Sequence, residues 1–145
     1  MTDGSRKPKI VLDEKPDSNL RETILRPLAE YNESKVGQFY LGPVAIFLRH
    51  PSDDAIIGGL WGAYIHGWLA VDMLFVPEEF RGRGIGSTLM RMAEDVAQKR
   101  ECVGIRVDTA TYQAPGFYEK LGYQELARLK YHGQIHEQIY YFKIL

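Results

Sequence analysis

The stretch VDMLFVPEEFRGRGIGSTL, from Val71 to Leu89, decides the fold. An apolar, β-branched run ends at Pro77, a charged turn follows, and a glycine-rich loop leads into a segment whose apolar residues recur with the period of one helix face. The predicted order is therefore strand, loop, helix. Three glycines leave backbone N–H groups free at the positive end of the helix, where Arg81 and Arg83 add charge. The pattern indicates an anion site, most simply for phosphate.

Three known phosphate-binding loops can be compared with this stretch. A Walker A loop requires Gly-Lys-Ser or Gly-Lys-Thr, which occurs nowhere in the chain. A dinucleotide fingerprint starting at Gly82 requires a third glycine where the chain has Ser87, although Asp108 follows at about the distance of a ribose-binding acid. Too little chain follows Asp108 for a doubly wound sheet. The third pattern, Arg/Gln-x-x-Gly-x-Gly/Ala, is satisfied by the sequence from Arg81 to Gly86.

A second motif lies about thirty residues further on, from Thr111 to Tyr123. Its sequence, TYQAPGFYEKLGY, is similar to the signature Asn-x-x-Ala-x-x-Phe/Leu-Tyr-x-x-x-Gly-Phe/Tyr, with Thr111 in place of the commoner Asn. Together the two motifs resemble those of the GCN5-related N-acetyltransferase (GNAT) superfamily. They cover the chain from Ile56 to Tyr123, and the remainder agrees only in its order of elements. The residues that match the second signature are Ala114, Phe117, Tyr118, Gly122 and Tyr123.

This resemblance implies an α/β (α+β) fold of the GNAT type. Its sheet is twisted, mixed and mostly antiparallel, with about seven strands flanked by about four helices. We expect one domain over residues 1–145, with residues 1–9 flexible. The implied activity is transfer of acetyl from acetyl-CoA to a primary amine by direct attack in a ternary complex. The alternative is a non-catalytic acyl-CoA-binding sensor or interaction module.

The superfamily's site residues carry over to this chain by position. The glycine loop would hold the pyrophosphate, and the backbone of Leu74 and Val76 would bind the pantetheine arm. The Leu74 N–H would also act as the oxyanion donor, and Tyr118 would give a proton to the leaving thiolate. The full set implied for acetyl-CoA binding is Leu74, Val76, Arg81, Gly82, Arg83, Gly84, Ile85, Gly86, Ser87, Thr111, Phe117 and Tyr118.

Asp72 is the candidate general base, because an amine with a pKa near 10 must lose a proton before it attacks. A period of two places Asp72 on the strand face of Leu74 and Val76. Some superfamily members have a catalytic Glu two residues earlier, where this chain has Ala70. Asp72 would therefore act through water. Attraction of a cationic acceptor, or pairing with an arginine, is an equal alternative.

The acceptor is not specified by any motif. Acidic residues around the first helices would suit a small cationic amine, such as a polyamine or an amino-sugar antibiotic, and a peptide amine is the alternative. These residues are Asp13, Glu14, Glu30 and Glu33. A homodimer through the last strands is compatible with the aromatic run 140–142, which would serve equally well in the core.

Composition argues against several other classes of protein. With 18 Lys and Arg against 19 Asp and Glu, the net charge of −1 gives no electrostatic reason to expect nucleic acid. The lone Cys102 cannot form an internal disulfide. No apolar run has the length of a membrane span and no signal peptide is apparent, so we expect a cytoplasmic protein without a membrane partner. The four histidines lack metal-ligand spacing, and we expect no metal.

Local patterns predict the remaining elements. We expect a first strand at residues 10–12 and then two short helices divided at Pro27. An antiparallel meander follows, and the strand after the glycine-loop helix returns parallel to the strand before that helix. The other predicted strands cover residues 43–49, 56–65, 68–76, 103–107, 123–129 and 135–144, and a short helix covers residues 114–121.

Overall fold

The computed structural model describes residues 6–145, which divide into two compact units. The first unit ends at Gln38, and the second runs from Phe39 to Leu145. The flexibility predicted for residues 1–9 falls largely outside the described residues. Residues 6–9 are exposed and have no regular secondary structure.

The first unit contains one long helix, α1 (Arg21–Val36), preceded by a 3₁₀ helix over Ser18–Leu20. The two short helices predicted here are wrong, because α1 continues through Pro27. A proline inside a helix removes one backbone hydrogen bond and costs about 3 kcal/mol. The leucine, arginine, alanine and glutamate residues around Pro27 are strong helix formers, and they keep the helix continuous.

The strand predicted at residues 10–12 is also wrong. Ile10, Val11 and Leu12 have no regular secondary structure and are exposed. A strand needs a partner to satisfy its backbone groups, and none of the described strands pairs with this segment. Three apolar residues therefore did not suffice to identify a strand.

The second unit is built on one mixed sheet. Its strands are β1 (Gly42–Arg49), β2 (Ile56–Ile65), β3 (Trp68–Phe75), β4 (Gly104–Ala110), β5 (Gln124–Lys130) and β6 (Glu137–Ile144). They are ordered β1-β2-β3-β4-β6-β5, and all neighbours are antiparallel except β3 and β4. The helices of this unit are α2 (Ile85–Lys99), α3 (Pro115–Lys120) and a 3₁₀ helix over Glu78–Phe80.

This sheet confirms the predicted mixed, mostly antiparallel architecture, including the parallel pair joined by a helix. The described residues form six strands and three α-helices, whereas the sequence predicts about seven strands and about four helices. The two differences have the causes given above: residues 10–12 add no strand, and Pro27 does not divide α1.

The core of the second unit forms where α2 packs on β3 and β4. The helix buries one stripe of small and medium side chains: Leu89, Met90, Ala93 and Ala97. Leu69 and Ile105 of the two parallel strands are fully buried against it. Each such aliphatic side chain contributes about 1.5–3 kcal/mol when it leaves water. The core thereby fixes the start of α2 relative to the ends of β3 and β4.

Candidate active site

Strands β3 and β4 part where the candidate site begins. Their parallel pairing runs from Trp68–Gly104 to Val71–Val107 and stops there, although both strands continue. On its other side, β3 remains paired with β2 as far as Phe75. The backbone groups of β3 that face β4 beyond Val71 therefore have no partner among the described strands, and they are available to a ligand.

A cavity of about 930 Å³ occupies this parting. Its walls are the second half of β3, the end of β4, the glycine loop and α3. Its size falls within the range of small-molecule sites. The predicted site residues that line it are Asp72, Leu74, Val76, Arg81, Gly82, Gly84, Ile85, Gly86, Ser87, Phe117 and Tyr118. Arg83 and Thr111 are not among the lining residues.

The glycine loop presents backbone donors to the cavity. Gly82 and Gly84 have φ angles of 74° and 76°, a left-handed conformation that other residues adopt at a cost of about 1–2 kcal/mol. Gly84 is the N-cap of α2 and has no side chain to cap the helix. No backbone carbonyl of the described residues accepts from the N–H groups of residues 82–87. These N–H groups and the positive end of α2 form a site suited to an anion.

The two arginines of the loop have different surroundings. The Arg81 Nε donates to the Val76 carbonyl at 2.8 Å, and its guanidinium lies 5.8 Å from the centre of the Phe75 ring. This hydrogen bond ties the loop to the end of β3 and leaves the terminal nitrogens of Arg81 for a ligand. Arg83 lies 5.7 Å from the centre of the Phe80 ring. Arg83 therefore contributes charge near the loop without lining the cavity.

Asp72 lies at a break in the strand register. Trp61 pairs with Met73 and Gly62 pairs with Val71, so Asp72 is the extra residue of a β-bulge in β3. A bulge interrupts the alternation of side chains, and the period of two used to place Asp72 on the face of Leu74 does not hold across it. Asp72 is nevertheless exposed and lines the cavity.

Tyr118 is held rigidly by other aromatic rings. Its ring centre lies 5.0 Å from that of Phe117, 6.0 Å from that of Tyr123 and 5.8 Å from that of Tyr141, the last in a stacked arrangement. Burial, with a smaller contribution from the charge of Asp108, raises the pKa of Tyr118 to about 12. Every buried side-chain oxygen in the described chain has a hydrogen-bond partner, and no described residue bonds the Tyr118 hydroxyl. The hydroxyl must therefore reach the open cavity that Tyr118 lines.

Phe117 and Thr111 have contrasting positions. A Cβ added at Gly86 would lie 3.2 Å from the Phe117 ring, so glycine there allows the loop and α3 to approach closely. The Thr111 hydroxyl instead accepts from the Glu137 N–H at 3.1 Å and lies 3.4 Å from His136 Nδ1. Thr111 thus joins the end of β4 to β6.

Sequence reasoning missed several residues that line the cavity. Among them are Asp108, Tyr112 and Gln113. Gln113 fixes the turn after β4, since its Oε1 accepts from the Thr109 hydroxyl at 3.1 Å and from the Ala110 N–H at 2.9 Å. In the sequence, Asp108 bears only on the dinucleotide pattern, which this chain does not satisfy. The signal that could have found it is its position directly after the predicted strand 103–107, because ligands bind beyond the carboxyl ends of parallel strands.

Residues 6–145 contain neither a cluster of metal-binding side chains nor a helix suited to cross a membrane. No three His, Cys, Asp or Glu side chains are grouped in a way that could bind a metal ion. None of the helices combines the length and the apolar character that crossing a bilayer requires.

Comparison with known proteins gives consistent matches. The model of the acetyltransferase (GNAT) family matches residues 12–123. An acetyltransferase of Agrobacterium fabrum is 38% identical over 119 residues, which cover 82% of this chain and 86% of that protein. The blasticidin-S acetyltransferase of Streptomyces morookaense is 44% identical over 77 residues, 51% of this chain and 55% of its own length. A crystal structure assigned as an acetyltransferase from Agrobacterium tumefaciens superposes with a TM-score of 0.87 at 33% identity, covering 95% of this chain and all of that one.

Proposed function

The chain belongs to the acetyltransferase (GNAT) family and is an acetyl-CoA-dependent N-acetyltransferase, and we propose that its acceptor is a small cationic amine. The observation that carries the proposal is the cavity itself, which has a cationic, donor-rich loop at one end and exposed carboxylates at the parting of β3 and β4. Family membership favours the enzyme over a non-catalytic acyl-CoA-binding module. We also propose that the two units act as one GNAT domain, that the protein is cytoplasmic, and that it forms a homodimer through β5 and β6.

The residues of the loop fit the pyrophosphate of acetyl-CoA. The N–H groups of residues 82–87 and the N-terminus of α2 would hold the phosphate oxygens, with Arg81 giving a bidentate contact. The glycines support this fit. Cβ atoms added at Gly82 and Gly84 would meet no protein atom within 4 Å, so side chains there would occupy the volume that a ligand needs. When bound, acetyl-CoA supplies a thioester whose carbonyl carbon is the acetyl donor.

Unpaired backbone of β3 would bind and polarise that thioester. The pairing of β3 with β4 ends at Val71, so Leu74 and Val76 lie where amide groups of a ligand could replace the missing strand. The Val76 carbonyl already accepts a hydrogen bond from Arg81 Nε, so Leu74 is the residue of the two whose backbone is more available to the ligand. A preorganised N–H at the thioester oxygen would stabilise the transition state by about 2.7–4 kcal/mol, the measured worth of one oxyanion donor.

Tyr118 would stabilise the leaving thiolate. Its raised pKa, about 12, keeps the hydroxyl protonated throughout the physiological range and so always able to donate. Complete transfer to a thiolate with a pKa near 8.5 would be uphill by about 3.5 pKa units, or about 5 kcal/mol. We therefore propose that Tyr118 donates a strong hydrogen bond as the C–S bond breaks and that water completes the protonation. Overall, the nitrogen of the protonated acceptor loses two protons: one leaves before the attack and passes to solvent, and the other is balanced by the proton that the sulfur gains.

Asp72 would receive the proton of the acceptor amine through a water molecule. This role is supported by the exposure of Asp72, by its position at the bulge of β3 and by its place among the lining residues of the cavity. The cavity contains no cysteine that could form an acyl-enzyme, because Cys102 lies outside it and burial raises its thiol pKa. Direct attack of the amine is the mechanism that fits these residues.

The relative from Streptomyces morookaense suggests one class of acceptor. That protein is named for blasticidin S, and it matches about half of this chain. We propose an amine antibiotic or a polyamine as the acceptor, and a peptide N-terminus as the second candidate. The acidic residues predicted to attract the acceptor, Asp13, Glu14, Glu30 and Glu33, lie in the first unit and not among the lining residues of the cavity.

Thiol release from acetyl-CoA tests this proposal. The acceptors would be spermidine, 1,4-diaminobutane, blasticidin S and a tripeptide with a free N-terminus. Release with a small amine and not with the tripeptide is the expected result. Release with the tripeptide alone would contradict the assignment of the acceptor while leaving the acetyltransferase activity in place.

Replacing Asp72 separates its two suggested roles. Asp72→Asn should lower kcat by about 10²-fold or more if Asp72 is the general base. It should instead raise the acceptor KM with little change in kcat if the carboxylate only attracts the amine. Asp95→Asn is the matched control, since Asp95 is an exposed carboxylate on α2 outside the cavity.

A further inference from the structure

A second carboxylate stands at the parting of the two parallel strands. Asp72 follows Val71 and Asp108 follows Val107, and these two valines form the last pair between β3 and β4. The two aspartates therefore flank the opening of the sheet, one from each strand. Both line the cavity, whereas Arg81, the cationic side chain among its lining residues, belongs to the loop.

Asp108 is oriented by a chain of hydrogen bonds from β6. The Gln138 Nε2 donates to Asp108 Oδ2, and the Tyr131 hydroxyl donates to Gln138 Oε1 at 2.6 Å. The direction of this chain is fixed, because a carboxylate accepts and an amide nitrogen donates. Among the described residues, no hydrogen bond engages the other oxygen of Asp108. The exposed carboxylate is thus held in one orientation with an oxygen left for a ligand.

The wall of the cavity also contains an exposed aromatic ring. Tyr112 lines the cavity and is 59% exposed. It makes edge-to-face contacts with His136 at 5.0 Å and Tyr131 at 6.1 Å between ring centres. These contacts hold a large exposed ring near the carboxylate that Tyr131 helps to orient. A carboxylate and the face of an aromatic ring both attract cations.

We propose that Asp108, with Tyr112 beside it, binds a second cationic nitrogen of the acceptor, an inference that rests on the proposed function. The acceptor is then a short diamine or an amine that also carries a guanidinium. One nitrogen attacks as the free amine on the side of Asp72. The other stays protonated at Asp108 and sets how far the acceptor enters the cavity. Asp108 is accordingly a specificity residue, and Gln138 is a positioning residue that acts through it.

The test compares 1,4-diaminobutane with butylamine, which lacks the second nitrogen. The wild-type protein should give a kcat/KM for the diamine at least about tenfold higher, as expected for one hydrogen bond to a charged group. Asp108→Asn keeps the shape of the side chain and removes its charge. It should raise the KM for the diamine about tenfold or more and that for butylamine by less than about threefold, so that the preference for the diamine is lost. Gln138→Leu should raise the KM for the diamine by a smaller factor, because it frees Asp108 to rotate.

Controls separate this inference from the proposed function. Acetyl-CoA affinity and the melting temperature should be unchanged in Asp108→Asn, and Asp95→Asn should match the wild type with both amines. A wild-type protein without preference for the diamine would overturn the inference, as would equal losses for both amines in Asp108→Asn. Turnover of neither amine by a protein that still binds acetyl-CoA would also overturn it, while leaving the acetyl-CoA site in place. Loss of acetyl-CoA binding in the wild type would instead refute the proposed function.

Discussion

The Tyr118→Phe substitution tests the chemistry of the site apart from its structure. It removes one hydroxyl that has no described hydrogen-bond partner and leaves the ring contacts with Phe117, Tyr123 and Tyr141 in place. The loss of folding stability should therefore stay within about 0.5 kcal/mol. A preorganised hydrogen-bond donor to a charge that develops in the transition state contributes about 10²–10³-fold to a rate, so kcat should fall by that factor.

Two assays are needed to interpret this substitution. Thiol release from acetyl-CoA measures kcat, and calorimetric titration measures the acetyl-CoA Kd, which should change by less than about threefold. Tyr64→Phe is the matched control, since Tyr64 is as deeply buried as Tyr118 but lies outside the cavity. A variant at Tyr118 that retained more than about a third of wild-type kcat would refute the role given to the hydroxyl. An equal loss in the Tyr64 variant would show that the effect is structural.

Three further predictions concern stability and binding. Burial raises the pKa of Tyr118 from 10 to about 12, so ionisation of this group favours the unfolded chain as the pH rises from 10 towards 12. Between pH 7 and pH 11, the free energy of unfolding measured in urea should therefore fall by about 1.4 kcal/mol less for Tyr118→Phe than for the wild type. Gly84→Val should abolish acetyl-CoA binding in titration calorimetry. Gly133→Val is the control: its φ of 64° is also left-handed and an added Cβ also meets no atom within 4 Å, so it should cause similar backbone strain and leave acetyl-CoA binding unchanged. Glu94 Oε1 accepts a hydrogen bond from Lys143 Nζ at 3.0 Å in a half-buried ion pair. Glu94→Gln should therefore lower the free energy of unfolding by about 1–3 kcal/mol in urea titration, and an unchanged free energy would show that the pair is solvated.

The second unit was largely predictable because its elements are specified locally. The mostly apolar run of residues 56–65 and the helical period after Gly84 can each be recognised in a short window of sequence, and both segments have the predicted structure. The glycine loop was also predictable from sequence, because the left-handed φ angles at residues 82 and 84 favour glycine. The mixed sheet followed from the short connections between consecutive strands.

The errors arose where distant residues decide the structure. Residues 10–12 resemble a strand by composition, but a strand exists only with a partner. The bulge at Asp72 depends on how β2 and β3 pair, so no period counted along β3 could show it. The hydrogen bond that orients Asp108 comes from Gln138, thirty residues away on a neighbouring strand. Such long-range partners carry no local signature, and the acceptor side of the site was therefore the part least accessible from sequence.

The measurement that bears most directly on the central claim is a thermal shift with acetyl-CoA, CoA and NAD, followed by thiol release in the presence of an amine. A ligand at about 100 times its Kd stabilises the fold by about 2.7 kcal/mol, which for a chain of this length raises the Tm by roughly 5–10 °C. Stabilisation by acetyl-CoA and CoA but not by NAD, with thiol release for a small amine, is the predicted result. Absence of stabilisation by both acetyl-CoA and CoA would contradict the account of the glycine loop and of the cavity it borders.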